Sequence, residues 1–147
     1  MSTSTTTQDL PESMIERAES RMAHFTTRWL LQPNTAVVTA HGEIDAANAQ
    51  ELVDYALRHG VHINGLVLDL SGVDFFGTSG FSALHTLNVR CAGDSITWAL
   101  VPSPAVTRLL RICDPDSALP LHGGVDAALS AVQAGPPRLL QLVPQPR

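Results

Sequence analysis

Gly65-Leu66-Val67-Leu68-Asp69-Leu70-Ser71-Gly72-Val73-Asp74-Phe75-Phe76-Gly77-Thr78-Ser79-Gly80-Phe81 is the stretch on which the fold turns. It opens as an apolar run from Gly65 to Val73, interrupted at Asp69, which suits a central strand covered on at least one face. A loop follows, Asp74-Phe75-Phe76-Gly77-Thr78-Ser79-Gly80, in which two hydroxyls lie between two glycines. Beyond it Phe81, Leu84, Leu87 and Asn88 mark a helix that ends near Cys91, with Gly93 as its stop. A strand that passes into a helix through such a loop is half of a βαβ unit.

Upstream, Phe25 to Leu31 and Ala36 to Ala40 read as two strands. Gln32-Pro33-Asn34-Thr35 between them is turn chemistry, so a hairpin is expected. Asn48 to His59 carries apolar residues at Ala49, Leu52, Val53, Ala56 and Leu57, the 3.6-residue period of an amphipathic helix, and Gly60 stops it. Downstream, Ser95 to Val101 reads as a strand. Ser103 as N-cap and Pro104 at the first helical position open a helix to Cys113. Leu119 to Leu121 reads as a short edge strand and Val125 to Val132 as a last helix. Residues 13–23 have helical propensity and suggest a further short helix. The order ββαβαβαβα is that of an α/β domain with right-handed crossovers. Its organisation is an N-terminal arm over 1–24, one domain over 25–134, and a Pro-rich tail over 135–147.

Composition narrows the function classes. The chain has 147 residues, a formal net charge of -5 and 44% hydrophobic residues, which fits one globular domain. All nine basic residues are Arg, and they are scattered. The basic stripe of a nucleic-acid binder is absent, and a chain without Lys offers neither Walker-type phosphate binding nor Schiff-base chemistry. No apolar stretch approaches the ~20 residues of a membrane span, and the polar start MSTSTTTQDLPES carries no signal-peptide core. A cytoplasmic protein is expected, with no membrane partner. The six histidines show no metal-ligand spacing. Cys91 and Cys113 form no CxxC pair, and neither a cofactor nor a metal is called for. Both thiols close helices, so a regulatory disulfide between them is a subordinate expectation if the two helix ends face each other.

Two segments carry chemistry. Thr78 and Ser79 are expected to cap the helix behind them. A phosphate on Ser79 would add about −1.5 to −2 charges where a helix N-terminus favours negative charge by roughly 0.3–1 kcal/mol. The fold would survive while a docked partner met new bulk and charge, so the position suits a reversible switch. Gly77-Thr78-Ser79-Gly80-Phe81 also approaches the G-x-S-x-G nucleophile elbow, with Asp94, Asp114 and His122 following in triad order; Phe81 stands where that motif needs glycine. A small hydrolase is therefore a remote alternative, and no catalytic residue is assigned. The second segment is His41-Gly42-Glu43-Ile44-Asp45. Its two carboxylates suit an acidic docking point, and Asp45 is expected to cap the helix that follows.

These residues resemble the STAS domain family. Val38-Thr39-Ala40-His41-Gly42-Glu43-Ile44-Asp45 is similar to the family's strand and Gly-Glu-(Leu/Ile)-Asp opening. Leu66 to Phe81 is similar to its central strand and F-(I/M)-D-S-S-G-L loop, and Pro102 to Leu110 to its S-P-x-V helix. The resemblance covers about residues 25–134 and implies a mixed or parallel central sheet with helices packed mainly on one face. Within the family the chain resembles free-standing bacterial anti-sigma factor antagonists. That implies binding to a serine-kinase-type anti-sigma factor, release of a sigma factor, and a serine phosphatase that reverses phosphorylation. Ser79 matches the phosphoacceptor, with Thr78 beside it, in a switch loop of Asp74, Phe75, Phe76, Gly77 and Gly80. Glu43, Asp45 and Phe81 match the partner-binding region. Gly77 stands where the family often has Asp, and Phe81 where it has Leu. A phosphorylation-independent or thiol-regulated scaffold is the alternative, and a homodimer is left open.

Overall fold

The structure, a computed structural model, describes residues 15–20, 22–31 and 34–134. Residues 1–14 and 21 of the expected arm, the turn residues Gln32 and Pro33, and the tail 135–147 lie outside the described residues. The elements are β1 (Ile15–Ser20), β2 (Ala23–Leu31), β3 (Asn34–Ile44), α1 (Ala49–Leu57), a 3-10 turn (Gly60–His62), β4 (Gly65–Phe76), α2 (Thr78–Gly93), β5 (Thr97–Val101), α3 (Pro104–Cys113) and α4 (Val125–Ala134). The strands form one five-stranded sheet in the order β1-β2-β3-β4-β5. The first three strands pair antiparallel, and β3, β4 and β5 are parallel. This is the expected α/β domain with a mixed sheet.

The sheet sorts its side chains by the period-2 alternation of strands. Phe25, Ala36, Val38, Ala40, Leu66, Leu68, Leu70, Trp98 and Leu100 face one layer, where α1, α2 and α3 supply Leu52, Val53, Leu84, Leu87, Val106 and Leu110. Val37, Val67, Ala99 and Val101 face the other, where α4 supplies Ala128 and Val132. Leu66, Val67, Leu68 and Leu70 are all fully buried, which accounts for the near-continuous apolar run: this part of β4 is covered on both faces. Asp69 lies on the α4 side, where its carboxylate accepts from the Ser71 hydroxyl at 2.7 Å and amide at 3.0 Å.

Two expected elements differ. Residues 15–20 form strand β1, paired from Ile15↔Arg28 to Ser20↔Ala23, and not a helix. Its local helical propensity is weak, and ladder bonds to β2 outweigh it. Leu119 to Leu121 makes a single bridge, Leu100↔Leu121. Pro120 has no N–H for a ladder, so its carbonyl accepts from Leu100 while the Leu121 amide turns back to Leu119.

Ser103 and Pro104 open α3 as expected. The Ser103 hydroxyl accepts from the Val106 amide at 3.2 Å, and the residue is buried. Ser103→Ala therefore removes a cap inside the protein, and thermal unfolding should register a loss of about 1–2 kcal/mol.

Candidate functional site

Parallel strands that each lead into a helix bring their carboxyl ends to one edge, the usual place for sites in α/β sheets. Here that edge collects the end of β3, the end of β4 with the start of α2, and the end of β5 with the start of α3. The acidic turn and the hydroxyl loop, far apart in sequence, become neighbours. Glu43 pairs with Phe75 and Ile44 with Phe76, and the Gly77 amide donates to the Ile44 carbonyl at 3.0 Å. A Cβ on Gly77 would stand 3.9 Å from the Asp45 Cα.

The acidic turn is built by backbone and by Asn48. Gly42 takes φ +107°, and the Glu43 amide donates to the Met22 carbonyl at 2.8 Å. Asn48 is fully buried, and its amide group donates to the Glu43 carbonyl at 2.8 Å while its oxygen accepts from the Asp45 amide at 2.9 Å. Asp45 does not cap α1 as expected. Its carboxylate accepts from Ala47 at 2.9 Å, a local Asx turn one step before the helix, and Asn48 holds the N-cap position. Asn48 is thus the positioning residue that reading the motif passed over; the signal available was an Asn directly before an apolar helical period. Glu43 is exposed and Asp45 half-buried.

The loop differs from expectation in where the helix begins. Gly77 is the N-cap of α2, with φ −90° and ψ 178°, so Thr78 and Ser79 lie inside the first turn and do not cap it. Thr78 is exposed and Ser79 half-buried. Gly80 faces inward, and a Cβ there would meet the Phe76 ring at 2.6 Å, which explains the second glycine. The Gly77 position has ordinary van der Waals room, its nearest neighbour being the Phe75 ring at 3.5 Å, so an Asp would fit there. Phe81 is half-buried against the core and tilts over His85 at 6.5 Å.

Strand β4 gains one extra residue over β3 between Thr39 and His41 and another between Gly42 and Glu43. The second irregularity breaks the alternation, so Asp74 and Phe75 both face outward while Val73 and Phe76 are buried. Phe75 is 50% exposed. With Asp74, Phe76, Ala105, Arg108, Leu109 and Ile112 it lines a groove of about 320 Å³ between β4 and α3.

The remaining candidates separate from this edge. Asp94 is the C-cap of α2, the far end of the 16-residue helix that begins beside Ser79, roughly 20 Å away at 1.5 Å per residue. Asp114 closes α3, its carboxylate accepting from the Ala118 and Leu119 amides at 3.0 and 3.2 Å. The triad order seen in sequence is therefore not assembled around Ser79. Among the described residues no group of three or more His, Cys, Asp or Glu could hold a metal ion, and no helix is long and apolar enough to cross a membrane.

Both cysteines are free thiols. Cys91 is fully buried, and its pKa is pushed up to about 12 by burial, with Asp94 adding and Arg90 opposing. A raised pKa keeps the thiol protonated at neutral pH, and the thiolate is the reactive form. Ellman's reagent at pH 8 should thus titrate one thiol, Cys113, in the folded protein, and the second only after denaturation. Two fast thiols would mean that Cys91 is reachable and would revive the expected disulfide.

The model of the family described as STAS domain matches residues 30–128. The chain is 39% identical over 111 residues to Osmosensory protein A of Mycobacterium tuberculosis, an overlap of 73% of this chain and 70% of that one. It is 34% identical over 102 residues to the anti-sigma-F factor antagonist RsfA of the same species, covering 67% and 80%. In three dimensions it is similar to the crystal structure of an anti-sigma factor antagonist from Mycobacterium paratuberculosis. The TM-score is 0.64 at 29% identity, over 74% of this chain and 94% of that one.

Proposed function

The chain belongs to the STAS domain family, and on that premise we propose that it is a cytoplasmic anti-sigma factor antagonist, a binding module and not an enzyme. It binds a serine-kinase-type anti-sigma factor and so releases a sigma factor. Phosphorylation at Ser79, with Thr78 as the neighbouring acceptor, breaks the complex, and a serine phosphatase restores it. Relatives of this chain are named for antagonism of anti-sigma factors.

The observation that carries the reading is the seam between the two segments: Gly77 bonded to Ile44, with Asp45 alongside. A partner docked on the acidic turn is thereby brought over the hydroxyl loop. Glu43, Asp45 and Asp74 give this edge an acidic rim, which favours a partner with a basic surface. Phe81, two residues beyond Ser79 on α2, is half-buried against the core and is the apolar member of the proposed partner-binding region. A hydroxyl in the first turn of α2 accepts a phosphate without loss of the helix, so a covalent charge alters the surface and leaves the fold intact.

The test is a pull-down from native lysate with wild-type and Ser79→Asp baits, read by mass spectrometry. A kinase-fold anti-sigma factor should come down with the wild type and drop out with the aspartate form. Equal retention on both baits would leave an antagonist whose switch is not Ser79. Absence of any such protein from both would end the antagonist reading.

A further inference from the structure

Beside the residues that dock it, helix α3 carries a second apolar line that runs from the half-buried edge of the core, at Ala105 and Leu109, out to an exposed end. Val106 and Leu110 are buried and dock the helix. Ala105, Leu109 and Ile112 follow a separate line at i, i+4 and i+7, and Ile112 is 77% exposed. Across the groove stands Phe75, turned outward by the irregularity in β4. The two walls carry opposite charge, Asp74 on the β4 side and Arg108 on the α3 side. Among the described residues no intrachain hydrogen bond or ion pair holds either side chain.

We propose that this groove seats a second copy of the chain. An isologous contact sets one patch against itself about a two-fold axis. With the axis running along the groove, the α3 wall of each copy meets the β4 wall of the other. Arg108 then faces Asp74 twice, and Ile112 and Leu109 of each copy meet Phe75 of the other. The surface is self-complementary in charge and apolar on both walls, so it carries the pattern that a partner would need. Aromatic and branched apolar anchors between charges of opposite sign are the features that mark binding surfaces. The pair covers Asp74 and Phe75, immediately before the Gly77 cap. If the antagonist reading holds, the monomer is the form with a free loop, and self-association competes with the partner.

Sedimentation equilibrium of the full chain from low micromolar to near-millimolar concentration tests this. Wild type should show a reversible monomer–dimer equilibrium. Arg108→Asp and Asp74→Arg each set two pairs of like charges across the axis and should raise the dissociation constant about tenfold or more. Both changes on one chain recreate the pairs with the signs exchanged, and should return the constant to within about threefold of wild type. Ile112→Ser, at an exposed position that the fold does not need, should weaken the dimer by itself. A wild type that stays monomeric throughout, a dimer indifferent to the single changes, or a double variant no better than the singles would each overturn the proposal. Far-UV circular dichroism of every variant confirms that the fold is retained.

Discussion

Gly42→Ala is expected to cost about 3 kcal/mol and to lower the melting temperature by about 10 °C, followed by circular dichroism. Two effects add. The backbone at Gly42 has φ +107°, where an L side chain is strained. The new Cβ would also stand 2.2 Å from the Met22 carbonyl oxygen and 2.9 Å from the Ala23 Cα, both backbone atoms that cannot rotate away. Strain of this kind and overpacking each cost about 1–3 kcal/mol. The turn between β1 and β2 is the object Gly42 approaches, and its Met22 carbonyl accepts from Glu43. Displacing it therefore loosens the acidic turn as well as the sheet. The same turn supplies a change of opposite sign. Met22 is 54% exposed with φ 59°, so Met22→Gly relieves a left-handed residue worth about 1–2 kcal/mol and loses about 0.5–1 kcal/mol of chain entropy. The net expectation is a gain of about 0.5 kcal/mol. An unchanged melting temperature for Gly42→Ala would show that the turn does not rest on Gly42.

Much of this was legible in the residues because local signals and tertiary demands agree. The β2–β3 hairpin, the alternation of β4, β5 and their helices, and the Ser103-Pro104 start all follow from patterns that act within a few residues. The departures arise where a distant partner decides. Strand β1 exists because β2 offers it a ladder, and its own residues lean toward helix. Asn48 looked like an ordinary helix start, yet its side chain holds the Glu43 carbonyl and the Asp45 amide. The outward turn of Phe75 comes from a register shift against β3, and alternation alone would have placed Phe75 with buried Val73. Gly77 lacks the Asp of the family motif, and as the N-cap it moves Thr78 and Ser79 into the helix. The groove with Arg108 and Ile112 joins the end of β4 to α3, and no motif spans both.

Ser79→Asp should lower affinity for the anti-sigma factor about 100-fold while leaving the melting temperature within about 2 °C, measured by titration calorimetry and thermal unfolding. The asymmetry follows from position. Ser79 is the second residue of α2, where first-turn amides lack intrahelical acceptors and the helix dipole favours an anion. The folded domain therefore bears the charge at little or no cost. The docking edge cannot, because Ser79 lies beside the seam that joins the loop to Glu43 and Asp45. A carboxylate pressed into a contact that offers it no partner of its own is left buried and unpaired at a cost of several kcal/mol, and about 2.7 kcal/mol is 100-fold. Ser130→Asp makes the same chemical change at an exposed position of α4, the helix on the opposite face of the sheet, and should bind as wild type does. Gly77→Asp separates position from charge. It has room, and it sets a carboxylate next to Asp45 at a cap position where Asp is favoured. If it weakens binding as much as Ser79→Asp, the partner senses negative charge anywhere on the loop; if it binds normally, the switch is specific to the hydroxyl at Ser79. Should Ser79→Asp and Ser130→Asp bind alike, the loop lies outside the contact and phosphorylation there has no route to the partner.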